Sequence, residues 1–501
     1  MLEPQDSEYL WIVIVGFILA FVLAFGIGAN DVANSFGTSV GSKVLTLKQA
    51  CFIASIFEVA GAVLIGARVS DTVRKGIIDI NSFNGTEEYA MVGSLSALTG
   101  TSVWLLVATF FNLPVSGTHS VVGATMGFAL VAQGLHGVQW KTFGKIAGSW
   151  VVSPLLSGLI SSLLFMLVRR IILRKPEPFE AGLKFLPLFY AFTITVNFFS
   201  VFYKGSHMLH FNKIPLYGVL ILTFGSGIVT ALFVRFYLVG FMRRRIIREV
   251  DQLGIDVKAM YTPDVDPAEL LQRVEVVIEE KEDEMDVAEK SLGQETNGET
   301  SKLCNELSTP SSDINRSMGM KGMTTARCLI TDEPKTGRLF AFLQILTASF
   351  GAFAHGGNDV SNCIGPLISL WTIYWTGEIA QKVAIPVWIL LYGGVGISIG
   401  LWVWGRRVIK TVGEDLTPIT PSSGFTIEIG SALTVLLASN LGIPISTTHC
   451  KVGSVVMVGR ARSREVVDWK VFRNVVLAWV VTMPVAGAIS GASYAALREI
   501  L

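Results

Sequence analysis

Long apolar runs divide the chain. Stretches able to cross a bilayer, about 20 residues each, start near Tyr9, Ala50, Met91, Val115, Lys145, Phe185 and Leu216, and again after a polar interval near Leu339, Val383, Phe425, Ile445 and Asn474. The pattern predicts an all-α polytopic membrane protein of about 12 transmembrane segments. The stretches at Val115 and Ile445 are short and Gly-rich, which suits re-entrant or broken helices at the midplane. Three blocks follow: a membrane half over 1–242, a polar loop over 243–337 and a second membrane half over 338–501. Within the loop, Asp266-Pro267 followed by Ala268 to Lys290 predicts a capped acidic helix, and the Ser, Thr, Asn and Gly around it predict disorder.

Two phrases recur. Gly28-Ala29-Asn30-Asp31-Val32-Ala33-Asn34 returns as Gly356-Gly357-Asn358-Asp359-Val360-Ser361-Asn362, and Pro114-Val115-Ser116-Gly117-Thr118-His119 returns as Pro444-Ile445-Ser446-Thr447-Thr448-His449. The second pair aligns without a gap from Gly100 against Gly430 to Gly123 against Gly453, and Trp150 is echoed by Trp479. Two ordered phrases and a third echo imply an internal duplication. The first membrane half is repeat 1 plus extra spans; the second is repeat 2.

Basic residues set the topology. Arg169, Arg170, Arg174 and Lys175 close the fifth stretch, and Arg243, Arg244, Arg245 and Arg248 close the seventh, two crossings later, so both ends belong inside. Counting back places the N-terminus and the glycosylation sequon at Asn84 outside. Counting forward places Arg406, Arg407, Lys410 and the Arg460 to Arg473 cluster inside, and the C-terminus outside. Arg68, Arg74 and Lys75 run against this count and are outweighed by the two larger clusters. An odd number of crossings separates the repeats, which therefore enter the membrane from opposite faces, the inverted plan of secondary transporters.

Composition agrees: 51% of the 501 residues are hydrophobic and 16% charged, too apolar for a soluble domain of this length. The net charge of +1 carries no information on nucleic acid. Cys51, Cys304, Cys328, Cys363 and Cys450 form no CxxC pair, so neither a disulfide framework nor a zinc site is implied.

The phrases put acids and amides where an apolar run should continue, which is costly without a function. Asn30, Asp31 and Asn34 share a helical face, with Gly26 and Gly28 loosening the backbone upstream. A broken helix there would free carbonyls, and carbonyls, amide oxygens and carboxylates are ligands for a hard cation such as sodium. The cation candidates are Asn30, Asp31, Asn34, Asn358, Asp359 and Asn362, with Glu58 and Glu428 as further intramembrane carboxylates that either ligate a cation or carry a proton. By the repeat alignment Glu428 faces Leu98. After Pro114 and Pro444, the residues Ser116, Thr118, Ser446, Thr447 and Thr448 favour helix starts, whose bare N–H groups and hydroxyls bind anions. An anion beside two aspartates requires cations with it, which is symport in physical terms. His119 and His449 read as packing or orienting groups.

The doubled phrases and the polar middle between two membrane halves resemble the inorganic phosphate transporter (PiT) family, most closely the animal sodium-dependent type III symporters. The resemblance covers about Tyr9 to Arg248 and Leu339 to Ile500. It implies import of monovalent phosphate with two sodium ions at the plasma membrane, and a homodimer. It also implies that Asp31, Asn34, Asp359, Asn362 and the hydroxyls of the Pro-Ser/Thr-His phrases line the phosphate and sodium sites. Glu58 and Glu428 match carboxylates important for transport in that family, whereas Ser94 stands where vertebrate members carry an acid. Some members also serve as retrovirus receptors. No cofactor is expected beyond co-transported sodium. Competing readings are a proton-coupled phosphate or sulfate permease and a non-transporting phosphate-sensing receptor. An enzyme is disfavoured because no nucleophile and base pair or metal triad is evident.

Overall fold

The structure, a computed structural model, describes residues 2–31, 33–67, 70, 77–203, 211–252, 331–379, 385–410, 413, 416–443, 445–463 and 467–501. The acidic helix expected near Asp266 to Lys290, the residues Arg68, Arg74 and Lys75, and Cys304 and Cys328 lie outside the described residues. The first membrane half holds α1 (Leu10–Asn30), α2 (Ala33–Gly41), α3 (Leu47–Ile65), α4 (Glu87–Phe110), α5 (Gly117–Gln133), α6 (Trp140–Val168), α7 (Pro178–Phe202), α8 (Leu216–Phe233) and α9 (Val239–Gln252). The second holds α10 (Pro334–Thr376), α11 (Val387–Trp404), α12 (Arg406–Lys410), α13 (Pro421–Asn440), α14 (Thr447–Arg462) and α15 (Trp469–Leu497). Among the described residues an isolated bridge between Ile78 and Val138 is the one piece of β-type pairing.

Ten helical segments among the described residues are long and apolar enough to cross a membrane. The other two predicted segments are α5, with 17 residues, and α14, with 16. At 1.5 Å per residue each reaches only about 25 Å, short of a hydrocarbon core about 30 Å thick. Their surroundings account for the shortfall. Asp79 N–H donates to Gly137 O and Gln139 N–H to Ile77 O, so α4 begins on the face where α5 ends. Arg462 donates to Thr420 Oγ1 at 2.7 Å, so α13 begins where α14 ends. Each pair is a hairpin whose tip reaches the doubled phrases.

Corresponding helices exchange partners between the halves. α3 packs along α10 as α11 packs along α1, and α5 packs along α15 as α14 packs along α6. Glycine makes these approaches close. A Cβ on Gly28 would strike the carbonyl of Ile397, and one on Gly356 the carbonyl of Glu58; Gly61 and Gly400 meet Phe353 and Phe25 in the same way. In lipid, where apolar burial drives no association, small residues let helices approach closely and gain packing. Gly28 thus has a role besides the loosening read from the sequence: its missing side chain is needed by the neighbour. α10 also runs antiparallel to α1 and α2. Its end lies by the chain start, where Gln5 N–H donates to Tyr374 O, and its beginning lies by the end of α2, where Ser42 Oγ donates to Gln344 Oε1 at 2.9 Å.

α8 stands at the periphery. Its Tyr217, Ile221, Ile228 and Val229 are exposed, as lipid-facing side chains are. The charged end of the seventh stretch continues as α9, whose Met242, Ile246 and Val250 are buried at helical spacing while Arg243 pairs with Glu180 at 2.8 Å.

Candidate functional site

The doubled phrases meet in one buried place. α1 ends at Asn30 and α2 starts at Ala33, whereas α10 runs unbroken through Gly356–Asn362. The second copy therefore lies within an unbroken helix, while Val32 of the first lies outside the described residues. Carbonyl ligands are not freed along the second phrase, whose backbone oxygens stay in the helix ladder.

The asparagines tie each phrase to a hairpin tip. Asn30 Nδ2 donates to Thr109 Oγ1 at 3.0 Å and to Leu113 O at 2.9 Å, and Asn30 Oδ1 accepts from Val115 N–H at 3.1 Å. Its counterpart Asn358 donates to Ile445 O at 2.9 Å and accepts from Ser439 Oγ at 3.4 Å. Both amides are fully buried, and each spends bonds on tip backbone that has no helical partner of its own as well as on neighbouring side chains. They read as fasteners of the tips.

The aspartates face each other from the two halves. Asp31 accepts from Gly117 N–H at 3.1 Å and Thr448 Oγ1 at 3.0 Å. Asp359 accepts from Asn362 Nδ2 at 2.8 Å, and Asn362 Nδ2 also donates to Thr118 Oγ1 at 3.1 Å. The threonines cross: Thr118 donates to Ile445 O at 3.1 Å, and Thr448 to Val115 O at 3.2 Å. Each hairpin tip thus holds the other, and the oxygen atoms of both halves converge on a single volume. Ser116 and Ser446 do a different job. Each caps its helix, accepting from His119 N–H and His449 N–H respectively. The anion site expected from bare N–H groups is accordingly reduced, because Val115, Gly117 and His119 already donate within the protein. Thr447 is buried at the first position of α14. The side chain of Asn34 lies outside the described residues.

A histidine that the sequence patterns do not flag joins the site. His355 Nδ1 lies 2.8 Å from Glu58 Oε2, and its Nε2 lies 3.4 Å from Asp359 Oδ2. Asp31, His355 and Asp359 each offer a ligand atom, all within 4.8 Å of one another. Three groups able to hold a metal ion are thus brought together from two distant segments, which no motif reveals. Its signal is a lone His four residues before Asp359, one helical turn away on the same face. The arrangement has no counterpart at the repeat-related positions. The alignment of Gly28 with Gly356 equates His355 with Ile27, and the matching helix contacts equate Glu58 with Ile397.

Glu428 stands apart from the phrases. Its Oε1 accepts from Thr38 at 2.6 Å, Ser39 at 2.7 Å and Gln344 at 3.3 Å, and its Oε2 from Thr347 at 2.6 Å. Lys451, also missed in the sequence, is buried, has no hydrogen-bond partner for its Nζ among the described residues, and is electrostatically attracted to Glu428. The structure thus brings Glu58 to the aspartates and leaves Glu428 in its own cluster. Behind the tips four rings meet in order, tilted or edge-on: Trp150 and His119 at 3.9 Å, His119 and His449 at 4.3 Å, His449 and Trp479 at 3.7 Å. Pro154 lacks the N–H that would bond Trp150 O, and His449 Nδ1 takes that carbonyl at 3.2 Å. These histidines orient and pack. Asn84 is exposed in the turn before α4.

Comparison with known proteins gives concordant matches. A model described as the phosphate transporter family matches residues 27–490. The chain is 40% identical to sodium-dependent phosphate transporter 1 of Homo sapiens, over 99% of this chain and 97% of that protein. It is equally 40% identical to the protein of the same name from Felis catus, over 99% and 96%. A solved structure described as the sodium-dependent phosphate transporter matches with a TM-score of 0.75 at 36% identity, over 98% of this chain and 100% of that one.

Proposed function

The chain belongs to the phosphate transporter family, and from that premise we propose that it is a sodium-coupled symporter importing inorganic phosphate across the plasma membrane. Its relatives carry sodium and phosphate in their names, and its pocket has what both need. Asp31 and Asp359 supply anionic oxygen for cations, and Thr118, Thr448 and Asn362 supply groups able to hydrogen-bond a phosphate. With no lysine or arginine in either phrase, a phosphate anion is stable there only with cations beside it. The observation that carries the reading is the convergence of two aspartates from opposite halves within ligand reach of each other.

In this proposal monovalent phosphate travels with two sodium ions, one against each aspartate. Asn34, Ser116, Ser446 and Thr447 are proposed to complete the phosphate site, and Asn30, Asn34, Glu58, Asn358, Asn362 and Glu428 to serve the cations. The two repeats are inverted, and transport is by alternating access. The antiparallel course of α10 against α1 and α2, and the reciprocal exchange of helix partners, support this. The crossed bonds of Thr118 and Thr448 would be exchanged for bonds to the cargo when it binds. Both termini are assigned outside, the central loop inside, and the dimeric state rests on the family resemblance. The test is uptake of labelled phosphate by the purified full-length protein in liposomes, with sodium or choline outside. Accumulation with sodium alone is expected; equal uptake in choline, driven instead by a proton gradient, would overturn the sodium coupling.

A further inference from the structure

Sodium is a hard cation that takes oxygen ligands, and an imidazole nitrogen adds little to a site built for it. His355 nevertheless points its Nε2 between the two aspartates. The ring is 2% exposed, and Nε2 has no hydrogen-bond partner among the described residues. Glu58 holds the opposite nitrogen, Nδ1, at 2.8 Å. In the neutral ring, a proton on Nδ1 directed at Glu58 leaves Nε2 with the lone pair that a metal ion would take. That is the arrangement by which a carboxylate orients a histidine toward a metal.

The spacing fits a particular class of ion. Zinc lies about 2.0–2.2 Å from nitrogen and oxygen ligands in a tetrahedral shell, so two of its ligands sit about 3.3–3.6 Å apart. His355 Nε2 and Asp359 Oδ2 are 3.4 Å apart, and Asp31 brings the third atom within 4.8 Å. At the repeat-related positions stand Ile27 and Ile397, which offer no such nitrogen. We propose that Asp31, His355 and Asp359 form a binding site for a divalent transition ion, with Zn²⁺ as its probe, and that the bound ion blocks phosphate uptake by occupying the cation pocket. Mixed nitrogen and oxygen ligands favour zinc over magnesium and calcium, which prefer all-oxygen shells.

The binding part rests on geometry alone; the blockade also rests on the transport reading. Binding is tested on the full-length protein in detergent, by competition with a zinc chelator and by X-ray absorption at the zinc edge. One Zn²⁺ per chain is expected, with imidazole nitrogen in its shell, not displaced by excess Mg²⁺. His355→Gln should weaken binding at least tenfold, and Glu58→Gln, which keeps the imidazole but removes its orienting partner, by about 10- to 100-fold. A shell without imidazole in the native protein, or unchanged affinity in folded His355→Gln, would sink the site even if uptake proves sodium-driven. Uptake in liposomes tests the blockade: Zn²⁺ should inhibit it, and raised sodium should relieve the inhibition. Native uptake unaffected by saturating Zn²⁺ overturns the blockade. Absence of any sodium-driven uptake overturns the transport reading while leaving the metal site standing.

Discussion

Membrane potential is the direct probe of how many cations accompany each phosphate. Asp31 and Asp359 give one carboxylate from each half, and one cation against each accounts for two sodium ions. Monovalent phosphate with two sodium ions moves one net positive charge inward, and an elementary charge gains about 2.3 kcal/mol per 100 mV. At about 1.4 kcal/mol per factor of ten, each 100 mV of inside-negative potential should raise the limiting phosphate ratio about 40- to 50-fold. One sodium ion per phosphate would make that ratio independent of voltage. The assay fixes the potential of loaded liposomes with a potassium gradient and valinomycin, holds the sodium gradient constant, and measures labelled phosphate at its plateau. Asp359→Asn keeps the size of the side chain and removes its charge, so the sodium dependence should fall from about second to about first order, and the voltage effect should vanish. A native plateau that ignores voltage would refute the two-cation reasoning, as would an unchanged sodium order in both Asp31→Asn and Asp359→Asn.

Further outcomes follow from other parts of the structure. Thr448 serves a carboxylate and a carbonyl while Thr118 serves a carbonyl and Asn362, so Thr448→Val should perturb transport more than Thr118→Val; about 1.5–3 kcal/mol for the charge-assisted bond corresponds to a roughly 10- to 150-fold change in apparent affinity. Equal half-saturating concentrations in both variants would count against the crossed tips acting in binding. Gly356→Ala drives a methyl group into the carbonyl of Glu58, and a lowered melting temperature is expected, worth about 1–3 kcal/mol of overpacking; an unaltered melting curve would contradict the close helix approach. Asn84 should carry glycan, and a tag between Glu279 and Asn305 should be reached by antibody only after permeabilisation. Labelling of that tag in intact cells would overturn the proposed orientation.

The apolar runs and the two phrases make the helical architecture and the place of the pocket legible, because an acid that recurs inside two apolar runs costs too much to persist as packing alone. What they leave out is chemistry that depends on long-range contact. Glu58 stands out as an intramembrane acid, but its partner His355 lies 297 positions away, and only the packing of α3 along α10 joins them. Lys451 is inconspicuous because it follows directly on the His449 phrase, and only the folded chain brings it near Glu428. The roles of Gly28 and Gly356 are hidden for a related reason. A glycine in a sequence advertises backbone freedom, while the carbonyl that needs its empty side sits on another helix. Likewise the N–H groups after Pro114 look available until the structure supplies Asn30, Asp31 and Ser116 to accept from them.

Two perfectly equal halves would leave an inverted carrier without a resting preference, since swapping their conformations would turn one open state into the other at no difference in free energy. This protein breaks that degeneracy with side chains. Glu58 and His355 are answered by Ile397 and Ile27, and Glu428 and Lys451 by Leu98 and Val121, so charge-bearing groups stand at positions whose repeat counterparts have only hydrocarbon. Opening a passage beside the first set admits water to groups that gain from hydration; opening it beside the second wets aliphatic surface at a cost. On the proposed alternating-access mechanism the unloaded protein would wait for cargo facing one side, and replacing these groups with their aliphatic counterparts should move the waiting position toward the other.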